Sequence, residues 1–388
     1  MQRTLNRFVL AFVLLLSGCR ARSEEREALQ AEVIRSYAAI VFASYEDSLT
    51  RARELRQVVR SFLDSPTQST LESARASWRA AREPYGQTEA YRFYGGPIDS
   101  AEGPEGLINA WPLDEAYVDY VDGRPAGGII GSPELHPTIE RDLLVSLNEN
   151  GAEENISVGF HAIEFLLWGQ DRSPEGPGAR PFNDYVEGES AHADRRATYL
   201  AITVDLLVEK LEELVSEWSP DSPENYRSAF LAMPPDAALE NILVGIGVLS
   251  KSELAGERIF TAYDNQDQED EHSCFSDNTH RDLVANAQGI ANVLYGRYER
   301  IDGTIVEGVG LEDLLRALDP ESADELAALV DRGLASVSRI PVPFDRAIVE
   351  ADSRPLVLEA VYALQDQGDK IAQVGTQLGL TINTALPD

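Results

Sequence analysis

The sequence contains few of the residues that most often build metal and disulfide sites. Only two of its 388 residues are cysteines and five are histidines. The acidic segment at residues 264–282 holds one cysteine only, Cys274, so it does not match a zinc finger. If Cys19 is lipidated, as argued below, Cys274 stands alone and no internal disulfide can form. Any imidazole in a metal site must come from a short set, which comprises His136, His161, His192, His272 and His280.

Positive charge is also scarce. The chain has 33 Lys and Arg against 66 Asp and Glu, which gives a net charge of −33 at neutral pH. Such a surface repels phosphate groups, so the composition argues against a nucleic-acid partner. It suits cations, because negative surface potential raises their local concentration, although many soluble proteins are simply acidic.

Familiar catalytic motifs are missing as well. The chain has no His-Glu-x-x-His, no Gly-x-Ser-x-Gly, no P-loop and no Gly-x-Gly-x-x-Gly after a strand. Phe165 stands where a second histidine would complete a His-x-x-Glu-His motif. A zinc hydrolase built on this chain would therefore take its third ligand and its base from distant residues.

The N-terminus has the pattern of a secretory signal. Arg3 and Arg7 precede a short apolar run at residues 8–16, and small residues then lead to Cys19. The run is too short to span a bilayer as a stable helix. Ser17-Gly18-Cys19 resembles a bacterial lipobox, in which the cysteine is lipidated; a signal with an incidental cysteine is the alternative.

This pattern predicts a lipoprotein signal peptide at residues 1–18 and a lipidated tether at residues 19–28. Arg20, where an aspartate would hold the protein at the inner membrane, favours the outer membrane by analogy. Nothing later in the chain looks membrane-spanning, so we expect membrane contact through the lipid anchor only, on the periplasmic side.

The remainder of the chain has the apolar periodicity of an all-α protein. Pro84 should kink or divide the second helix. The predicted helices cover Arg26–Leu63, Thr70–Phe93, Leu135–Leu147, Ile156–Trp168, Ala191–Trp218, Pro223–Ala232, Ala238–Tyr263, Asp282–Tyr298, Leu311–Leu318, Ser322–Val337 and Leu356–Leu378.

Two long irregular loops interrupt these helices. One is the Gly/Pro-rich passage Gly95–Pro133, in which short strands are expected at Tyr117–Val121 and Ile129–Ile130, and the other is Asp264–Asn278. Loops of this length in a compact domain are often functional. We predict two helical bundles joined by the loops, at residues 29–220 and 221–385, and hypothesise that they arose by an internal duplication.

The most informative short motif is Gly159-x-His161-x-x-Glu164. In a helix, residues three apart share a face, so an imidazole and a carboxylate can hold one metal ion together. The flanking residues are apolar, which indicates a buried helix, and a buried carboxylate needs a partner or a cation. The alternative is a pair that arises by chance on a helix.

Other polar residues form weaker candidates. Glu89 and Arg92 could be an ion pair that lines a pocket, or a surface pair beside an aromatic stripe. Asp99 lies in the first long loop, where a carboxylate can turn towards a cation or cap a turn. In the second loop, Asp277 could cap the next helix and place His280 in its first turn. A solvated acidic loop is the alternative for this segment.

The long motifs resemble the imelysin family, in its iron-regulated protein A-like branch. The resemblance is carried by three passages and extends over about residues 30–380; the passages are Pro84 to Asp99, Gly159 to Asp171, and Glu269 to His280. It implies a two-bundle helical fold, a bacterial envelope location and a link to iron acquisition. Some members were classed as metallopeptidases.

Carried to this chain, the resemblance implies metal binding by His161 and Glu164, with Glu89 and Asp99 as upstream partners. Arg92, Asp171, Asp277 and His280 would belong to the surrounding pocket. The expected ligand is a divalent or ferric ion, with iron favoured over zinc. We therefore predict a lipid-anchored protein that captures iron or an iron complex and delivers it to an iron transporter or outer-membrane receptor. The alternatives are a zinc-type metallopeptidase and a docking module.

Overall fold

The computed structural model describes residues 2–386, with side chains from residue 24 onward. The longer helices are α1 (Gln2–Asp64), α2 (Gln68–Thr88), α7 (Gly159–Trp168), α8 (Ala193–Trp218), α10 (Pro235–Val248), α12 (Thr279–Tyr295), α14 (Pro320–Ser338) and α16 (Arg354–Leu378). The shorter helices are α3 (Glu105–Ile108), α4 (Glu115–Val118), α5 (Gly128–Gly131), α6 (Arg141–Leu147), α9 (Tyr226–Leu231), α11 (Thr261–Asn265), α13 (Leu311–Leu318) and α15 (Phe344–Val349).

The remaining regular elements are few. A π-helix at Leu249–Phe260 continues α10, and three 3₁₀ turns occupy Glu89–Tyr91, Phe182–Tyr185 and Gln268–Asp270. Within the described residues, the strands are β1 (Arg297–Glu299) and β2 (Ile305–Glu307), which pair antiparallel as one hairpin. The all-α class predicted from the sequence is therefore confirmed.

Helices pack in two groups. In one group α2 and α8 pack on α1, and α7 packs on α2 and α8. In the other, the π-helix and α14 pack on α16, and α12 packs on α14. The division into bundles at residues 29–220 and 221–385 stays a prediction, because α12 also packs on α2 and joins the groups.

Small residues let α2 and α12 approach closely. A Cβ atom on Gly86 would lie 2.7 Å from Cβ of Ala285, and one on Gly289 would lie 2.3 Å from the carbonyl oxygen of Gln87. Side chains that face each other across this contact are consequently buried. The buried ion pair between Arg82 on α2 and Asp282 on α12 spans this crossing.

The predicted strands at Tyr117–Val121 and Ile129–Ile130 are wrong, because Tyr117 and Val118 belong to α4, Val121 forms only an isolated β-bridge, and Ile129 and Ile130 belong to α5. Asp114 caps α4 by accepting a hydrogen bond from the N–H of Ala116 at 2.9 Å. Gly128 opens α5 with φ of +74°. A short apolar run carries too little periodicity to distinguish a buried strand from a helical turn.

Several helix limits also differ from prediction. The Leu135–Leu147 helix begins only at Arg141, and α2 continues through Pro84 instead of dividing there. Sequence periodicity gave no sign of the π-helix, of the β-hairpin or of α15. Asn278, not Asp277, is the residue before α12, and its side chain makes no capping bond.

Cys19 and the predicted signal lie outside the residues whose side chains are described. In the part of the chain that is described, no helix combines the length and apolar character needed to cross a bilayer.

Candidate functional site

The centre of the site is α7, a helix whose ten residues are all buried. Gly159 starts it with φ of +88°, a conformation that side chains disfavour. A Cβ atom there would lie 2.7 Å from the carbonyl oxygen of Ile108. Gly159 therefore allows the end of α3 to lie directly against the start of the His-x-x-Glu helix.

His161 and Glu164 bond to each other within this helix. Nδ1 of His161 lies 3.0 Å from Oε2 of Glu164, and the two residues are 1% and 0% exposed. Oε1 of Glu164 accepts hydrogen bonds from the N–H and Oγ of Ser276, at 3.0 and 2.6 Å. Both carboxyl oxygens are thus engaged, whereas Nε2 of His161 has no hydrogen-bond partner among the described residues.

Burial determines the protonation of His161 and Glu164. It raises the pKa of Glu164 to about 8, against the lowering effect of the Ser276 hydrogen bonds. Burial, together with the positive charge of neighbouring groups, lowers the pKa of His161 well below its usual value. At neutral pH the pair therefore carries no net charge, which suits its desolvated position.

His272 brings a second imidazole to the same place. Its ring packs edge-on against His161 with centroids 4.8 Å apart and planes at 77°. Nδ1 of His272 lies 3.3 Å from Oδ2 of Asp282 on α12. Burial and the charge of Arg258 lower the pKa of His272 to about 4, so both imidazoles are neutral at neutral pH.

A buried ion pair links α2 to α12 beside the histidines. Nε of Arg82 donates to Oδ1 of Asp282 at 3.0 Å, and the two side chains are 1% and 0% exposed. Arg82 also donates to Oδ1 of Asn109. Burial alone would raise the pKa of Asp282, but Arg82 and His272 hold it far below its usual range.

Glu89 lies at the centre of a second buried ion cluster. Its Oε2 accepts hydrogen bonds from Arg92 and Arg258, both at 2.7 Å, and its Oε1 accepts one from Nδ2 of Asn109 at 3.3 Å. Burial alone would raise the pKa of Glu89, but the two guanidinium groups lower it to about 2. Glu89 is therefore fully ionised and fully paired.

Sequence reasoning missed Arg258 and Glu253, which complete this cluster. Nε of Arg258 donates to Oε1 of Glu253 at 2.9 Å, and its Nη1 donates to Asn286 at 2.7 Å. Residues 253 and 258 are five apart, which is the hydrogen-bond spacing of a π-helix. The three- and four-residue spacings of an α-helix therefore cannot reveal this pair.

A cavity of about 200 Å³ opens beside these residues. Its floor includes the buried side chains of Asn109, His272 and Arg258, and its mouth includes the exposed residues Glu149 and Glu153. The other lining residues are Arg92, Glu105, Ala110, Trp111 and Glu253. His161 packs edge-on against His272, which lines the cavity.

The predicted pocket residues are distributed over more than one place. Glu89 and Arg92 lie in the ion cluster next to the cavity. Asp99 accepts a hydrogen bond from the N–H of Phe93. Asp171 and Asp277 lie close enough that each affects the pKa of the other, and neither lines the cavity.

His280 lies in the first turn of α12, and burial lowers its pKa. No described hydrogen bond or ion pair joins Asp99, Asp171, Asp277 or His280 to His161. The structure thus brings His161, Glu164, Glu89 and Arg92 near one cavity and leaves the other four candidates apart.

The side chains at the site supply only part of what a metal ion needs. His161 offers an unpaired buried nitrogen, and Glu164 fixes its ring as carboxylates orient metal-binding histidines; a metal bound there would displace a proton that the neutral pair carries. Among the described residues, however, no group of three or more His, Cys, Asp or Glu side chains is already spaced to hold a metal ion. The described residues therefore supply two adjacent imidazoles but not a complete protein cage.

These features define a class: an all-helical protein built around a buried His-x-x-Glu helix with a polar cavity beside it. The imelysin sequence profile matches residues 41–371. The chain belongs to the imelysin family.

Relatives agree with this assignment. The chain is 28% identical over 341 residues to iron-regulated protein A of Synechococcus elongatus, covering 86% of this chain and 82% of the relative. Two crystal structures share the fold. An iron-regulated protein A precursor of Parabacteroides distasonis gives a TM-score of 0.69 at 21% identity, covering 90% of this chain and 95% of the other. An imelysin-like protein of Psychrobacter arcticum gives 0.65 at 14% identity, covering 91% and 98%.

Proposed function

We propose that this chain binds iron as a complex at the central cavity, for uptake by the cell. The observation that carries the proposal is Nε2 of His161, which is buried and unpaired beside His272. A buried polar atom without a partner costs free energy unless a ligand satisfies it. His272 lines the cavity, so an entering ligand meets that imidazole first and His161 second.

The charges around the cavity support capture of a cation. Glu149 and Glu153 come from the loop before α7, and Glu253 comes from the π-helix on the other side. Carboxylates at a cavity mouth raise the local concentration of cations. Burial followed by the charge of Glu153 raises the pKa of Glu149, so these groups are close enough to repel one another.

A complex suits the cavity better than a bare ion. Two imidazoles leave most of the coordination positions of iron to other donors, and Glu89 is held by Arg92 and Arg258. An iron complex brings its own oxygen ligands. The guanidinium groups of Arg92 and Arg258, which also line the cavity, would pair with anionic oxygens of such a complex.

The choice of iron and the location in the cell envelope rest on the relatives and on the N-terminal sequence, not on the geometry of the cavity. The relatives are named for iron regulation. The N-terminal sequence predicts a lipid-anchored protein facing the periplasm, where a transporter or outer-membrane receptor would be the partner. Zinc would meet the same imidazoles, so it is the second metal to test.

The bonding of Glu164 and Glu89 gives no support to peptide hydrolysis by these two carboxylates. A metallopeptidase needs a carboxylate that is free to activate water. Both oxygens of Glu164 are hydrogen-bonded, to His161 and Ser276, and Glu89 is fully paired.

The proposal is tested by titrating the purified protein with ferric citrate and, separately, with zinc chloride, by isothermal calorimetry. His161→Asn is the informative variant, because the asparagine amide can replace Nδ1 as the partner of Glu164 but offers nothing in place of Nε2. We expect at least tenfold weaker binding of ferric citrate in His161→Asn and in His272→Ala.

His136→Ala is the matched control, because His136 lies outside the site and contacts Arg195 through its backbone. It should bind as the parent does. Unchanged affinity in both site variants, with melting temperatures near the parent value, would overturn the proposal. If the protein binds zinc but not ferric citrate, zinc takes the place of iron in the proposal.

A further inference from the structure

A second cavity, of about 270 Å³, lies beyond the C-terminal end of α7. Its walls come from the loop after α4, from the segment that follows α7, and from the residues just before the 3₁₀ turn at Phe182–Tyr185. None of the residues that line it lines the central cavity, so it is a separate place in the molecule. We call it the Arg180 cavity, after the buried cation in its wall.

Hydrogen bonds and close packing hold the walls of this cavity together. The N–H of Arg180 donates to the carbonyl oxygen of Trp168 at 2.7 Å, so the chain returns to the end of α7 after the intervening loop. Oε1 of Gln170 accepts a hydrogen bond from the N–H of Asp122 at 2.8 Å. A Cβ atom on Gly169 would lie 3.2 Å from Cβ of Arg180, so the glycine lets this side chain lie against the helix end.

The side chain of Arg180 is only 1% exposed although it carries a charge. Its Nη1 donates to Oδ2 of Asp119 at 2.7 Å and to Oδ2 of Asp184 at 3.1 Å. Its guanidinium carbon lies 4.9 Å from the ring centroid of Tyr120 and 5.2 Å from that of Phe165. Two carboxylates and two aromatic rings therefore fix the orientation of the guanidinium group.

One edge of this guanidinium group has no partner. Nε of Arg180 forms no hydrogen bond with any described residue, and the hydrogen bonds that the group makes among these residues both start from Nη1. Nε and Nη2 form the edge of an arginine that can bind both oxygens of one carboxylate. A buried donor without a partner is costly unless a ligand or water satisfies it. The wall of the cavity thus contains an unused donor edge that is already oriented.

The charges behind this wall cancel. Arg180 and Arg196 face two carboxylates, because Nε of Arg196 also donates to Oδ2 of Asp119, at 2.6 Å, and Asp184 pairs with Arg180. This buried group of four side chains has no net charge. It therefore does not repel an anion that approaches the free edge of Arg180.

The rim of the cavity is balanced in the same way. Arg172 and Asp122 both line the cavity and are exposed. No described hydrogen bond or ion pair holds the guanidinium group of Arg172, so it is available to a ligand. One spare cation beside one acid suits a ligand with a single negative charge better than a phosphate or a polycarboxylate.

Much of the remaining wall is apolar, and it includes Val121, Ala179 and Pro181. The volume lies just below the range of about 300–1,000 Å³ that is typical of small-molecule sites. A ligand of this cavity is therefore compact, with one polar end and an apolar body.

We propose that the Arg180 cavity binds a small organic monocarboxylate. The carboxylate pairs with the Nε and Nη2 edge of Arg180, and the apolar body lies against Val121, Ala179 and Pro181. Arg172 adds attraction at the rim. This site is independent of the iron complex proposed for the central cavity.

Benzoate is the probe for this proposal, and benzamide is the matched control ligand, because it has nearly the same shape without the charge. Each is titrated into the purified protein at pH 7.5 by isothermal calorimetry. We expect one benzoate per molecule and at least tenfold weaker binding of benzamide. Equal binding of the two compounds would overturn the proposal, since the guanidinium edge would then not select a carboxylate.

Two variants test the place of binding. Ala179→Phe fills the cavity from an exposed position and removes no hydrogen bond of Arg180, so it should abolish benzoate binding. Ala335→Phe, at an exposed position of α14, is the matched control and should bind as the parent does. Arg180→Lys keeps a charge beside the two carboxylates but lacks the two-nitrogen edge, so it should bind at least tenfold more weakly. If Arg180→Lys does not fold, the result for Ala179→Phe decides.

The His161→Asn variant separates this site from the central cavity, because it should bind benzoate with the affinity of the parent. Failure of the parent to bind benzoate would overturn the proposal. Unchanged benzoate affinity in Ala179→Phe would also overturn it, because binding would then take place elsewhere on the protein.

Discussion

Glu164 and Ser276 are 112 residues apart in the chain and are joined by two hydrogen bonds, from the N–H and Oγ of Ser276 to Oε1 of Glu164. This contact ties the His-x-x-Glu helix to the loop before α12. The same loop carries His272, so the contact also fixes the position of the second imidazole. One carboxyl group thereby positions both histidines, the first through Nδ1 and the second through the loop.

The first prediction concerns the proton on Glu164. Its pKa of about 8 in the folded protein exceeds the usual 4.5, so folding favours the protonated form. Protonated Glu164 makes its full contribution to the free energy of unfolding below about pH 4.5, and this contribution is lost as the pH rises through about 8. The glutamine in Glu164→Gln cannot ionise, so the variant does not lose this contribution as the pH rises. Relative to the parent, the variant should gain on the order of a few kcal/mol between pH 5 and 8.5.

Urea unfolding at a series of pH values measures this difference. Other buried carboxyl groups affect parent and variant alike, so the difference isolates Glu164. Glu240→Gln on an exposed face of α10 is the control and should show no such trend. A constant difference across the range would mean that Glu164 is ionised throughout.

The second prediction concerns Gly159. An alanine there suffers both the unfavourable φ and a contact of 2.7 Å with the carbonyl of Ile108, so Gly159→Ala should lose roughly 3 kcal/mol or more of unfolding free energy. Gly188 has a similar φ of +83° but nothing within 4 Å of the added atom. Gly188→Ala should lose only about 1–2 kcal/mol, the backbone part of the cost. Equal losses, measured by urea unfolding, would show that the close approach at Gly159 is unimportant.

The third prediction concerns the lipid anchor. If Cys19 in the lipobox Ser17-Gly18-Cys19 is lipidated, Cys19→Ser should move the protein from the membrane fraction to the soluble fraction of the envelope. Fractionation followed by immunoblotting checks this. Cys274→Ser is the control, because Cys274 is buried and should not affect membrane attachment. A protein that stays with the membrane after Cys19→Ser has another anchor.

Much of the fold followed from local sequence pattern. Amphipathic helices such as α13, at Leu311–Leu318, were located to the residue, because an apolar stripe at helical spacing needs no knowledge of the partner. Short turns such as α4 and α5 could not be located that way. Their conformation depends on a capping aspartate and on glycine geometry more than on periodicity.

The same distinction between local sequence pattern and long-range contacts applies to the site. His161 and Glu164 are neighbours on one helical turn, so their contact was predictable from spacing. The contribution of Ser276 depends on tertiary packing, and that of Arg258 depends on a π-helix. Glu89 was expected as a metal ligand, but its environment is set by two arginines, one of them 169 residues away. Sequence spacing cannot show which charges will meet across that distance.

The last prediction compares two ion pairs at neighbouring positions on α2 and α12. Arg82 and Asp282 are buried, whereas Glu83 and Arg281 are 41% and 46% exposed. Breaking a buried pair leaves an uncompensated charge, so Asp282→Asn or Arg82→Met should cost about 3–5 kcal/mol of unfolding free energy. Breaking the exposed pair with Arg281→Met should cost at most about 1 kcal/mol, because water and salt screen it.

A double-mutant cycle completes this test. The double variant Arg82→Met, Asp282→Asn should be more stable than the sum of the single losses predicts, because it leaves no unpaired charge. The Asn109 side chain and His272 also touch this pair, so part of the loss will remain. Additive losses in the cycle would mean that Arg82 and Asp282 stabilise the helix crossing through separate partners instead of through each other.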